Sequence, residues 1–180
     1  MLGRETTFEY SETWVGYAVV TLRVVMGWTL FQGGLTKLVT YLDATPENNW
    51  TAAGFLAHAI PDGNPFAGTW AAMAGNPAVD ALVMWGLTLT GLGLVLGALV
   101  RWNAFWGAVM MLVFWAASLE GGIPAGLPLA HGWVVDDHLV YAALLFGLGA
   151  VGAGRVLGLD GYIEATAVVR NNAWLRYLLG

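Results

Sequence analysis

VGYAVVTLRVVMGWTLFQGGLTKLVTYL, residues Val15–Leu42, is the stretch on which the fold turns. It is apolar for long enough to cross a bilayer as a helix, yet it carries Arg23 in its interior and Lys37 near its far end. A cation at the centre of a membrane segment costs roughly 2.5–3.5 kcal/mol on insertion scales, so it faces a bundle interior, a water-filled cavity or a headgroup. At helical periodicity Arg23, Gly27, Leu30, Gly34 and Lys37 fall on one stripe. The two charges are then about 21 Å apart along the axis. Gly27 and Gly34 let a neighbouring backbone approach closely. The spacing predicts a helix that packs this stripe against partners and turns Val, Leu and Phe outward.

Working outward, the rest of the chain has the same character. Of 180 residues 58% are hydrophobic and only 11% charged, where a soluble domain carries about 25% charged. Mean hydropathy is +0.65. Ten Trp and 25 Gly suit a protein with interfacial aromatics and close helix contacts. There is no cysteine, which excludes disulfide staples, thiol relays and Cys-ligated zinc or iron–sulfur sites. The net charge of −5 argues against nucleic acid as a partner.

Four apolar spans are predicted, at residues 15–39, 79–100, 102–119 and 138–159. The fold class is an all-α integral membrane four-helix bundle, multi-pass in the cell membrane. Basic residues set its orientation. Arg4 precedes the first span, Arg101 falls in the turn between the second and third, and Arg155, Arg170 and Arg176 follow the fourth. The two long loops carry no Lys or Arg beyond Leu38. Both termini are therefore expected in the cytoplasm, the acidic start being a cytoplasmic tail with no signal peptide. Within the first outer loop, NNWTAAGFLAHAIP and PFAGTWAAMAGNP read as short interfacial helices, the first capped by Asn49 or Thr51. The tail after Asp160 reads as another interfacial helix. Gly93/Gly97 and Gly154/Gly158 have the spacing of close helix contacts.

Three segments carry a family resemblance. LRVVMGWTLFQGGLTKL, with Arg23, Gly27, Phe31, Gly34 and Lys37, resembles the first helix of DoxX/DoxD proteins. DDHLVYAALLFGLGAVGAGRVLGLDGYIE, with His138, Tyr141, Gly154, Arg155, Gly158 and Asp160, resembles the last helix and tail of the DoxD branch, and GLGLVLGALVRW fits the second helix and its turn. The resemblance implies a four-helix membrane subunit of a quinone-linked redox system, similar to the DoxD part of thiosulfate:quinone oxidoreductase. One departure stands out. Many relatives carry a Glu early in the second helix, where this chain reads WGLTLTG around Leu87. No role resting on that carboxylate transfers.

Quinone is the cofactor to test against these residues. A quinone head group needs donors to two carbonyl oxygens and, on reduction, protons. Arg23 and Arg155 are expected toward the inner side as cationic donors; Lys37, Glu120, Asp137 and His138 are expected together toward the outer side. His138 is the proton-transfer candidate, since an imidazole titrates near pH 6.5, and Arg23 is the second catalytic candidate. Each has a plainer reading. Lys37 and Arg155 near span ends can snorkel to headgroups. Asp136 and Asp137 can cap the last helix. Arg23 can hold a lipid phosphate, a helix-end carbonyl or a subunit carboxylate. His58, His131 and His138 lack HxxH or HxxxH spacing, so no metal and no haem is expected. No phosphate loop, nucleophile elbow or dinucleotide fingerprint occurs, so any flavin or hydride chemistry belongs to a partner. Two alternatives stand beside the redox subunit: a non-catalytic accessory or assembly subunit of a respiratory membrane complex, with membrane lipids and a partner subunit or second copy against its glycine faces, and a small-anion transporter using the Arg23/Lys37 stripe.

Overall fold

The structure is a computed structural model and describes residues 11–42, 45–122, 124–127 and 133–180. Arg4, the rest of the acidic tail before residue 11, and His131 lie outside the described residues. Helix α1 spans Glu12–Leu38, started by the Ser11 side chain, which accepts from the Trp14 N–H, and with Glu12 and Lys37 placed to complement its dipole. It buries Arg23, Met26, Gly27, Leu30 and Gly34, the predicted stripe short of Lys37, which is half-buried. The first outer loop holds α2 (Ala53–His58) and α3 (Ala67–Met73). Neither Asn49 nor Thr51 is the cap residue of α2. Ala52 holds that position, and its N–H donates to Asp80 Oδ1 at 2.7 Å from across the loop.

Helix α4 (Pro77–Leu96) is capped by Asn76 with Pro77 in its first turn. It packs on α1 through a glycine seam. A Cβ on Gly27 would lie 2.8 Å from Val95 N, and one on Gly91 would collide with the backbone of Phe31. Helix α5 (Val100–Ala117) follows a tight reversal, left-handed at Gly97 (φ 66°) and again at Leu99 (φ 51°). The second span was expected to run to Val100 with Arg101 in the turn. Instead α4 ends four residues earlier, at Leu96, and Arg101 lies in the first turn of α5. The physical cause is a side chain from far along the chain. Asp160 accepts from the Leu99 and Val100 N–H groups at 2.6 and 2.9 Å, and so serves as the missing cap of α5.

Helix α6 (Asp137–Ala150) also departs from expectation. The predicted span ran from His138 to Leu159, but regular helix stops after 14 residues. That is about 21 Å, short of a roughly 30 Å hydrocarbon core. Gly152 turns left-handed (φ 67°), a short 3₁₀ turn covers Ala153–Arg155, and Leu157 is again left-handed. Beyond it lie α7 (Asp160–Glu164), α8 (Ala167–Asn171) and a 3₁₀ turn at Ala173–Tyr177, where one interfacial helix was expected.

Helix α1 packs on α4, α4 on α5, α5 on α6 and α6 on α1. They share a core that includes Met26, Leu94, Val100, Met111, Leu145 and Leu148. Segments Glu12–Tyr41, Pro77–Leu96 and Val100–Ala117 are long and apolar enough to cross a membrane. Their outer faces expose Trp28, Trp85, Leu89, Phe105 and Trp106, and α6 exposes Phe146. In water so much apolar surface would drive association; in a bilayer it is the solvated face. The chain is an all-α multi-pass membrane protein.

Candidate functional site

Arg23 meets main chain, not solvent. It is 1% exposed. Its Nη1 donates to the carbonyls of Ala153 at 2.5 Å and Val156 at 2.9 Å, and Nη2 donates to that of Leu157 at 3.0 Å. These carbonyls belong to the 3₁₀ turn Ala153–Arg155 and the two residues after it, beyond the end of α6, so main-chain carbonyls at a helix end are the partner among the three offered by the sequence. Only Nε is left without a hydrogen bond. Asp160, 0% exposed, completes the junction. Besides the α5 amides it accepts from Gly180 N at 2.8 Å. Gly97 and Gly158 touch back to back beside Arg23. Arg155 lies at the same end of the helices, on the surface, its Nε donating to Glu164 Oε2 at 3.0 Å. That hydrogen bond and the charge of Arg155 hold Glu164 below the ordinary carboxylate range.

The opposite end carries His138. Its Nδ1 lies 2.8 Å from Asp136 Oδ2 and 3.4 Å from Asp137 Oδ1, with the side chain 31% exposed. Its ring meets Phe114 edge-on at 5.9 Å. Asp136 caps α6 at the same time, accepting from Leu139 N at 3.0 Å. Donor atoms of Asp136, Asp137 and His138 lie within 4.8 Å of one another, but Asp136 is already bonded to the helix start and to the imidazole. Lys37 folds back on its own helix, donating to Gly33 O at 2.8 Å and lying over the Trp50 ring at 5.2 Å. Glu120 is exposed, and its carbonyl lies against Gly63. Of the four outer candidates the structure joins Asp137 to His138, and gives Lys37 and Glu120 separate neighbours.

Sequence reasoning missed the residues that tie loops to helices. Asn64 Nδ2 donates to the carbonyls of Ala116, Ala117 and Leu119 and so closes the end of α5. Asp80 accepts from the Ala52 N–H and so holds the start of α2. No local pattern announces either, because each partner lies tens of residues away. Asp160 was visible only as part of a resemblance.

The helices, their lipid-facing aromatics and the internally satisfied Arg23 define a multi-pass helical membrane protein. The DoxX family model matches residues 18–119, more than half of the chain, and the chain belongs to the DoxX family. The match covers α1 through α5 and ends before His138. No significant match was found among curated proteins or among solved structures.

Proposed function

We propose that the chain is a membrane subunit of a quinone-linked redox system, resembling the DoxD part of thiosulfate:quinone oxidoreductase. The observation that carries this reading is the His138–Asp136 pair, half-exposed at the loop end of α6 and flanked by Phe114. A quinone that takes two electrons also takes protons, and an imidazole held by a carboxylate passes protons at neutral pH. Asp136 fixes Nδ1, which leaves Nε2 to exchange the proton. The residues present fit one edge of a quinone head group. A second carbonyl oxygen needs its own donor, and the Arg23 fork is filled by carbonyls while Lys37 is held by Gly33 and Trp50. The second donor and the electron-carrying group then come from a partner, which is why the reading is a subunit.

The test is thiosulfate-dependent quinone reduction in native membranes. His138→Gln is expected to slow it about 100-fold or more, the scale of a lost proton-transfer group. Asp136→Asn keeps a good helix cap and is expected to slow it less. An unchanged rate with His138→Gln overturns the redox reading.

A second reading, the non-catalytic assembly subunit, is favoured by a separate observation. Arg23, Asp160, Asn64 and Asp80 each bond this chain's own main chain across distant elements, which makes them staples. Loss of the respiratory complex in membranes lacking the chain, with His138→Gln fully active, supports that reading over the first. Anion transport has the least support, since the cation it needs is enclosed.

A further inference from the structure

Two arginines flank one carboxylate at the end of the molecule where α5 begins, and Arg101 in the first turn of α5 stands at the same end. Arg155 Nε donates to Glu164 Oε2 at 3.0 Å, and Arg176 Nε lies 3.9 Å from Glu164 Oε1. The charge of Arg101 acts on the same carboxylate, while its Nε donates to Gly149 O at 3.2 Å. Three cations and one anion at this end leave a local surplus of positive charge on a chain whose net charge is −5. The Arg101 and Arg155 guanidiniums are anchored through Nε hydrogen bonds, and Arg176 Nε sits at ion-pair distance from Glu164. Among the described residues their terminal nitrogens take no hydrogen bond. A guanidinium fixed in this way presents its fork of terminal N–H groups, the geometry that matches two oxygens of a phosphate. The side chains of Arg155 and Arg176 are 40% and 52% exposed, so the forks are reachable.

The same end carries an apolar and aromatic rim. Leu157, Tyr162, Trp174 and Tyr177 are all exposed, two of them flanking the arginines in sequence. Aromatic rings with a polar tip settle at the headgroup level of a bilayer. A free anion gains nothing from that rim, and the acidic chain as a whole repels it. A lipid satisfies both parts, with phosphate in the forks and glycerol and upper acyl carbons on the rim.

The geometry points to a phosphate site formed by Arg101, Arg155 and Arg176 around Glu164, occupied by the headgroup of an anionic phospholipid. The site is independent of the His138 reading and lies at the other end of the helices.

The full chain in neutral detergent is titrated with phosphatidylglycerol, phosphatidylcholine or inorganic phosphate, with bound lipid read by native mass spectrometry and Tm by thermal scanning. Phosphatidylglycerol is expected to bind and raise Tm, phosphatidylcholine not, and added salt to weaken the effect. The double variant Arg155→Gln/Arg176→Gln is expected to bind phosphatidylglycerol about 25-fold more weakly, about fivefold per basic residue. Arg170→Gln, which leaves all three arginines in place, is expected to bind as the parent does. Should the double variant not fold, Arg176→Gln alone reads the same site at about a fivefold loss. Equal binding of the two lipids, or equal losses in Arg170→Gln and the site variants, overturns the site. Stabilisation by inorganic phosphate alone equal to that by phosphatidylglycerol overturns the lipid as its occupant.

Discussion

Arg23 and Asp160 are both fully buried at one junction, and each bonds to main chain. Arg23 holds the carbonyls of Ala153, Val156 and Leu157, while Asp160 holds the amides of Leu99, Val100 and Gly180. The acceptor-only carboxylate meets N–H groups and the donor-only guanidinium meets C=O groups. Their opposite charges also stabilise each other. Together they close two chain breaks, the reversal between α4 and α5 and the end of α6.

Removing Arg23 strands one buried and two part-buried carbonyls and leaves Asp160 without its counter-charge. Arg23→Met is expected to cost about 3–5 kcal/mol, the scale of breaking a buried charged pair. Arg23→Lys keeps the charge but not the fork and is expected to fall between. Thermal unfolding in detergent measures both. A methionine variant as stable as the parent would show that the carbonyls find other partners.

Asp160→Asn replaces one acceptor oxygen by a donor that faces N–H groups. Hydrogen bonds to a charged group contribute about 1.5–3 kcal/mol each, so the variant is expected to lose at least about 2 kcal/mol. The loss should appear first as protease cleavage near residues 97–100. Intact protection there at the parent's level would contradict the capping role.

The glycine seam separates two kinds of substitution. Gly91→Val places a branched side chain into the backbone of Phe31 and is expected to cost about 3 kcal/mol or prevent folding, at the upper end of overpacking. Gly147→Ala on α6 meets nothing within 4 Å. It is expected to be neutral or to stabilise by up to about 1 kcal/mol through helix propensity. Folded yield and thermal midpoint distinguish the two.

Glu164 titrates below the usual carboxylate value of 4.5 because of Arg155 first, then Arg176 and Arg101. A depressed folded pKa contributes stability above the unfolded pKa and loses it as pH falls through the folded one. Hydrogen-exchange protection factors at residues 160–177, corrected for the intrinsic pH dependence of exchange, are therefore expected to be constant above about pH 5 and to fall as pH drops below the ordinary carboxylate value. Glu164→Gln should remove that fall. A fall that persists in the variant assigns it to another group.

Much of this was legible without coordinates. The stripe from Arg23 to Gly34 is a matter of helical period, and a cation in an apolar span has to find polar company, so the buried face of α1 followed from spacing and solvation alone. The cap at Asp136 is equally local. The all-α membrane class followed from composition. What the tertiary structure alone decided was where helices stop and who satisfies whom. Val100 starts α5, against its apolar neighbours' suggestion, because an aspartate 60 residues later takes its N–H. The irregular segment after α6 is held in place because Arg23, 130 residues before Ala153, donates to its carbonyls. Hydropathy is a sum over neighbours in sequence, whereas a buried hydrogen bond is satisfied by whatever the fold brings within 3 Å, and no local pattern encodes that partner.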